Sequence, residues 1–158
     1  MKKQAQSRDC FVCGVENRFG LHMKFYEPEP GVVETTYTVA EHFQGYPGVV
    51  HGGILASMMD EVMGRVFMGD NPPRFMVTAE LKIRYRRPVP TNQPLTLRGK
   101  AIHDHGRIAR AEGTIHSADG TLLVEGEIVV ANIPPELNKA QDYAALGWKL
   151  YPDQEETK

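Results

Sequence analysis

Asp60 is the residue whose type and setting best suit chemistry. Around it, Leu55, Met59, Val62, Met63 and Val66 fall in one arc of a helical projection, which predicts a helix over 53–68. With Gly53 at zero, Asp60 projects at about 340°, on the edge of that arc beside Ala56, Gly64 and Phe67. A carboxylate there is partly desolvated, which makes it a stronger base. Small neighbours at Ala56 and Gly64 leave room for a ligand. The same pattern also fits a buried aspartate that caps a loop or pairs with a cation. Just before the helix stands Val50-His51-Gly52-Gly53. Free N–H groups at a helix N-terminus favour negative charge, and glycine lets a ligand approach that backbone. A carbonyl oxygen that becomes an oxyanion would suit the place, although a plain glycine-rich start to a helix reads the same way.

Spacing constrains how the two could cooperate. Gly52 and Asp60 are separated by about 12 Å along one helix. They meet at one reacting carbon only if another chain contributes, so two antiparallel helices across a two-fold axis are expected, with two shared sites. An oxyanion donor and one carboxylate suffice for thioester hydrolysis, because a thiolate leaves readily. Asp60 would act as base or as nucleophile. The sequence has no Gly-x-Ser-x-Gly elbow for a serine triad.

The positioning elements follow from the pattern. Residues 1–9 are polar and read as frayed. Glu27-Pro28-Glu29-Pro30-Gly31 reads as a turn or loop, and Val32 to Val39 as a strand. Glu61 and Arg65, four apart, are expected to pair in water. The helix should end near Gly69, with Pro72 and Pro73 beyond. From residue 75 the chain alternates: Phe75, Val77, Ala79, Leu81, Ile83 and Tyr85 form one face, and Met76, Thr78, Glu80, Lys82, Arg84 and Arg86 the other. Further strands are expected from Leu95, over Arg107 to His116, and from Leu122 to Val130, with a hairpin turn at Asp119-Gly120. The tail could hold a short helix around 135–146 and then a solvated end. One helix cannot cover both faces of such a sheet, so the sheet should curl around it.

At 158 residues, with a net charge of −2, the chain reads as one domain and not as a dedicated nucleic-acid binder. No apolar run is long enough for a membrane span. Nor does the N-terminus carry the apolar stretch of a secretory signal, so a cytoplasmic protein is expected. Cys10 and Cys13 have metal-ligand spacing, but a structural zinc site takes four ligands and His22 is a weak third. A packing role is therefore expected, and neither metal nor cofactor. His103 and His105 read as a solvated turn, and the methionines as an adaptable core or acyl pocket.

Gly48-Val49-Val50-His51-Gly52-Gly53-Ile54-Leu55-Ala56-Ser57-Met58-Met59-Asp60-Glu61, with the Cys10-to-Gly14 opening, resembles the hotdog-fold thioesterases. The likeness is to the phenylacetate-pathway and human-thioesterase-like branch of the 4-hydroxybenzoyl-CoA thioesterase superfamily. It implies an α+β hotdog fold, a long central helix wrapped by a curved antiparallel sheet of about five to six strands. Its core would span about 10–132 of a single 1–158 domain, with 133–158 as an extension. The resemblance also implies Asp60 as catalytic carboxylate, Gly52 as oxyanion donor, His51 shaping the site, and Thr78 contacting the nucleophilic water. Gln44 is the nearest match to an Asn or Gln that relatives place before His-Gly-Gly, one residue out of step. Gly53, Ser57 and Gly64 would line the substrate. Arg84, Arg86 and Arg87 are candidates for the phosphates of coenzyme A, since arginine binds phosphate bidentately. The expected partners are acyl-CoA and a second copy of the chain, as a homodimer or a dimer of dimers. A non-catalytic acyl-CoA sensor and an acyl-thioester hydratase are the alternatives.

Overall fold

The structure, a computed structural model, describes residues 1–69, 73–138 and 145–152. A seven-stranded antiparallel sheet wraps one long helix, as the α+β expectation required. The strands, in chain order, are β1 (Lys2–Lys3), β2 (Tyr26–Glu29), β3 (Val32–Thr38), a short ribbon of β4 (Gln44–Tyr46) and β5 (Val49–Val50), then β6 (Met76–Tyr85), β7 (Pro94–Asp104), β8 (Ile108–Ser117) and β9 (Leu122–Asn132). In the main sheet they lie in the order β1-β2-β3-β7-β8-β9-β6. Helix α1 (Gly52–Gly64) continues as a 3₁₀ turn over Arg65–Phe67, close to the predicted 53–68. Helix α2 (Pro135–Asn138) realises the start of the short helix expected in the tail; residues 139–144, and Pro72, lie outside the described residues. Among the described residues no helix is long and apolar enough to cross a membrane.

The core lies between α1 and the sheet. Leu55, Met58, Met59, Val62 and Met63 are buried against Leu95, Leu97, Ala109, Ala111, Ile115, Val124 and Ile128. Gly99 and Gly113 are register partners on β7 and β8. A Cβ on Gly99 would stand 2.4 Å from the Val62 carbonyl oxygen, and one on Gly113 2.6 Å from Met63 Cγ. At Gly99 the lack of a side chain lets the helix backbone rest almost on the strand, and at Gly113 it makes room for the Met63 side chain.

Several expectations fail for identifiable reasons. The first residues are not frayed: Lys2 and Lys3 pair with β2, and Gln4 and Gln6 are buried. Gln6 donates to the Cys13 and Met23 carbonyls at 3.0 and 3.2 Å, so its amide is satisfied inside. Gln6 also bridges to Lys149, and Trp148 packs edge-on against Phe75, so this stretch of the tail is docked rather than solvated; residues 153–158 of the expected solvated end lie outside the described residues. Second, residues 27–29 belong to β2; Pro28 is tolerated because the β2–β3 register shifts between Tyr26 and Glu29. Third, Arg65 is only 1% exposed, so its pair with Glu61 lies inside the protein and not in water.

Candidate active site

Helix α1 begins where the sequence places glycine. His51 is its N-cap, with extended backbone (φ −60°, ψ 134°), and His51 Nδ1 accepts from the Gly53 N–H at 2.9 Å. The imidazole thus occupies one of the free donors of the first turn. The Gly52 N–H makes no hydrogen bond among the described residues. Gly52 is held from its other side, where the Tyr85 hydroxyl donates to its carbonyl oxygen at 2.8 Å. Ser57 Oγ donates to the Gly53 carbonyl oxygen at 2.9 Å. Gly53, Ser57, Asp60 and Gly64 share one side of the helix at three- and four-residue spacing. Asp60 is half-buried there, and a side chain at Gly64 would meet nothing within 4 Å.

Thr78 meets Asp60 directly, its hydroxyl donating to Asp60 Oδ1 at 2.6 Å. Strict alternation puts Thr78 on the face turned away from the helix; a bulge corrects this. Thr78 pairs with Val130 and Glu80 with Val129, so β6 carries one extra residue, Ala79, against a single step of β9. Before the bulge Met76 and Thr78 face the helix; after it Leu81, Ile83 and Tyr85 do. One strand thereby supplies a hydroxyl to Asp60 and a phenol to Gly52. Tyr85 escaped the sequence reading as a site residue. Its signal was an aromatic at the end of the inward-facing row.

The other expected residues make contacts of their own. Gln44 Oε1 accepts from the Gly48 N–H at 3.0 Å and so holds the β4–β5 turn. Arg86 is paired with Glu125, while Arg84 and Arg87 are exposed. Arg84 borders a groove of 690 Å³ on the outer face of the sheet, along with Lys82, Arg98, Lys100, Glu112 and Glu127. That groove lies across the sheet from Asp60, and its mixed charges give it no preference for an anion.

A second set of reactive groups lies on the next helical position. Burial pushes the Glu61 carboxyl up to about 7 against the pull of Arg65. The hydrogen bond with Cys13 holds Cys10 down to about 7, and the same contact together with burial pushes Cys13 up to about 12. Among the described residues, Cys10, Cys13 and Glu61 bring together atoms suited to a metal ion.

Comparison with known proteins agrees with the fold and the helix. The thioesterase superfamily model matches residues 47–124, a stretch that holds α1, Asp60 and Thr78. A putative esterase of Saccharolobus solfataricus is 35% identical over 104 residues, covering 65% of this chain and 72% of its own. The chain belongs to the thioesterase superfamily. The acyl-coenzyme A thioesterase THEM4 of Mus musculus is 31% identical over 137 residues, 85% of this chain. This superfamily member spans only 58% of that relative's length. Among solved structures, the thioesterase superfamily protein RHA08564 superimposes with a TM-score of 0.70 at 36% identity, over 77% of this chain and 62% of its own.

Proposed function

We propose that the protein hydrolyses an acyl-CoA thioester to the free acid and coenzyme A, with Asp60 as base or nucleophile. The observation that carries this reading is the Thr78–Asp60 contact at 2.6 Å on the open side of α1. The hydroxyl occupies Oδ1 and fixes the carboxylate, which leaves Oδ2 to take a proton from water or to attack the carbonyl carbon. In the first route hydroxide adds and the thiolate leaves. In the second, thiolate departure gives a mixed anhydride that water then cleaves. The name of the mouse relative, an acyl-coenzyme A thioesterase, supports this substrate class.

The carbonyl oxygen would be held by the Gly52 N–H of a facing subunit. Within one chain the continuous helix keeps Gly52 about 12 Å from Asp60. Two chains with antiparallel helices bring each Gly52 to the other's Asp60 and make a homodimer with two sites. Gly53, Ser57 and Gly64 then line the seam, and Arg84, Arg86 or Arg87 would meet the phosphates.

Thiol release from short, medium, long and aromatic acyl-CoAs, run on wild type and Asp60→Asn together, tests the proposal. Release by wild type alone is expected. Tight binding of an acyl-CoA with no release from any would replace the enzyme by a sensor.

A further inference from the structure

The Cys10-to-Gly14 turn is built around a sulfur atom. The Gly14 N–H donates to the Cys10 carbonyl at 2.8 Å and closes the turn. A Cβ on Gly14 would lie 2.3 Å from that same oxygen, so the turn admits only glycine. Two backbone N–H groups then point at Cys10 Sγ, from Val12 at 3.3 Å and from Cys13 at 3.5 Å. Converging backbone donors favour an anionic acceptor, here a thiolate. From α1, Glu61 Oε2 approaches Cys10 Sγ to 3.8 Å. The other carboxylate oxygen is held by Arg65 Nε at 2.8 Å, which fixes the direction in which Oε2 points. The ligand atoms of Cys10, Cys13 and Glu61 all lie within 4.8 Å of one another.

We propose that Cys10, Cys13 and Glu61 bind one divalent transition-metal ion, of which zinc is the best match. Two thiolates and a carboxylate form a donor set for a borderline-soft ion and not for magnesium or calcium. Tetrahedral zinc with ordinary Zn–S and Zn–O bonds separates a sulfur from a carboxylate oxygen by about 3.6 Å. The Cys10–Glu61 separation of 3.8 Å needs only a small closure. Charge balances as well. Two thiolates, one carboxylate, a divalent ion and the Arg65 guanidinium sum to zero, the condition a buried assembly needs. Binding releases the two thiol protons to solvent. Arg65 Nη2 is buried without a hydrogen-bond partner among the described residues, and its guanidinium neighbours Cys13, so a metal-bound thiolate would supply the missing acceptor. Three protein ligands leave a fourth position for water. The ion would tie the N-terminal turn to α1, one helical position from Asp60. The site stands apart from the proposed hydrolysis and does not depend on it.

Cobalt titration tests it. Chelator-stripped, thiol-reduced full-length protein is titrated with Co²⁺ and then with Zn²⁺. One equivalent of Co²⁺ should give the near-ultraviolet thiolate-to-cobalt charge-transfer band with intense tetrahedral visible bands, and Zn²⁺ should abolish both. Cys10→Ser and Cys13→Ser should each lose most of the band. Glu61→Gln should keep the sulfur bands and weaken affinity about 10–100-fold, the scale on which support around a metal is felt. Absence of the charge-transfer band from reduced wild type would overturn the site, a result that needs no variant to fold. Unchanged affinity in folded Glu61→Gln would overturn the assignment of the carboxylate.

Discussion

Asp60 and Glu61 are consecutive carboxylates on one helix, and their surroundings differ in almost every respect. Asp60 lies on the open side of α1, where its near neighbours are small and its contact is the neutral Thr78 hydroxyl. Glu61, about 100° further round the helix, is enclosed under the N-terminal turn between Arg65 and two thiols. One carboxylate lies beside open space at Gly64 and the other is held by partners inside the chain. A step of one residue around a helix is therefore enough to separate a carboxylate on the open side from one that binds the chain to itself.

The contrast can be tested by substitution. Asp60→Asn should lower kcat by about 10²–10⁴-fold with the unfolding midpoint little changed, as read by thiol release and denaturant titration. An active Asp60→Asn enzyme would remove the distinction between the two carboxylates. On the enclosed side, Arg65→Ala leaves Glu61 buried beside no cation and should cost about 3–5 kcal/mol of stability, seen as a fall in the urea midpoint. A loss below 1 kcal/mol would mean that the pair is solvated after all. Gly52→Pro deletes one N–H. Proline suits the first position of a helix, and the extended backbone of His51 is the conformation proline requires before it. The expected loss in kcat is about 10²–10³-fold with the helix retained. Mixing the Asp60→Asn and Gly52→Pro chains should restore about a quarter of wild-type activity, because random dimers regain one intact shared site in each hybrid. No recovery on mixing would place both groups of a site in one chain. Thr78→Val, the mildest change, should lower kcat about tenfold, a figure appropriate to one hydrogen bond to a charged group.

How far these two environments could be read from sequence depends on what each one requires. The helix, its apolar arc and Asp60 at its edge follow from a 3.6-residue period that is complete within 53–68. The four long strands after the helix were likewise visible, each from its own alternation. Thr78 was assigned to the wrong face because a bulge is a property of two strands: Ala79 becomes the extra residue only when β9 is laid beside β6. The enclosure of Glu61 was invisible for a similar reason. What covers it is the Cys10-to-Gly14 turn, backed by a polar N-terminal segment whose Gln4 and Gln6 find internal partners, and composition alone cannot distinguish a satisfied amide from a solvated one. The role of Tyr85 needed the strand's length, which sets its phenol against the start of the helix.

The seating of α1 on Gly99 and Gly113 has a consequence for divergence. Where a helix is held off a sheet by side chains, each core substitution changes both its height and its roll. Here backbone meets backbone at Val62, so the helix's height over Gly99 is fixed without a side chain, while over Gly113 the Met63 side chain fills the space. A substitution at Met63 then changes the roll of the helix, and with it the bearing of Asp60 toward Thr78, while the height at Val62 holds. A lineage can thus reset the angular position of the Asp60 carboxylate through one methionine and leave the spacing of helix and sheet unchanged.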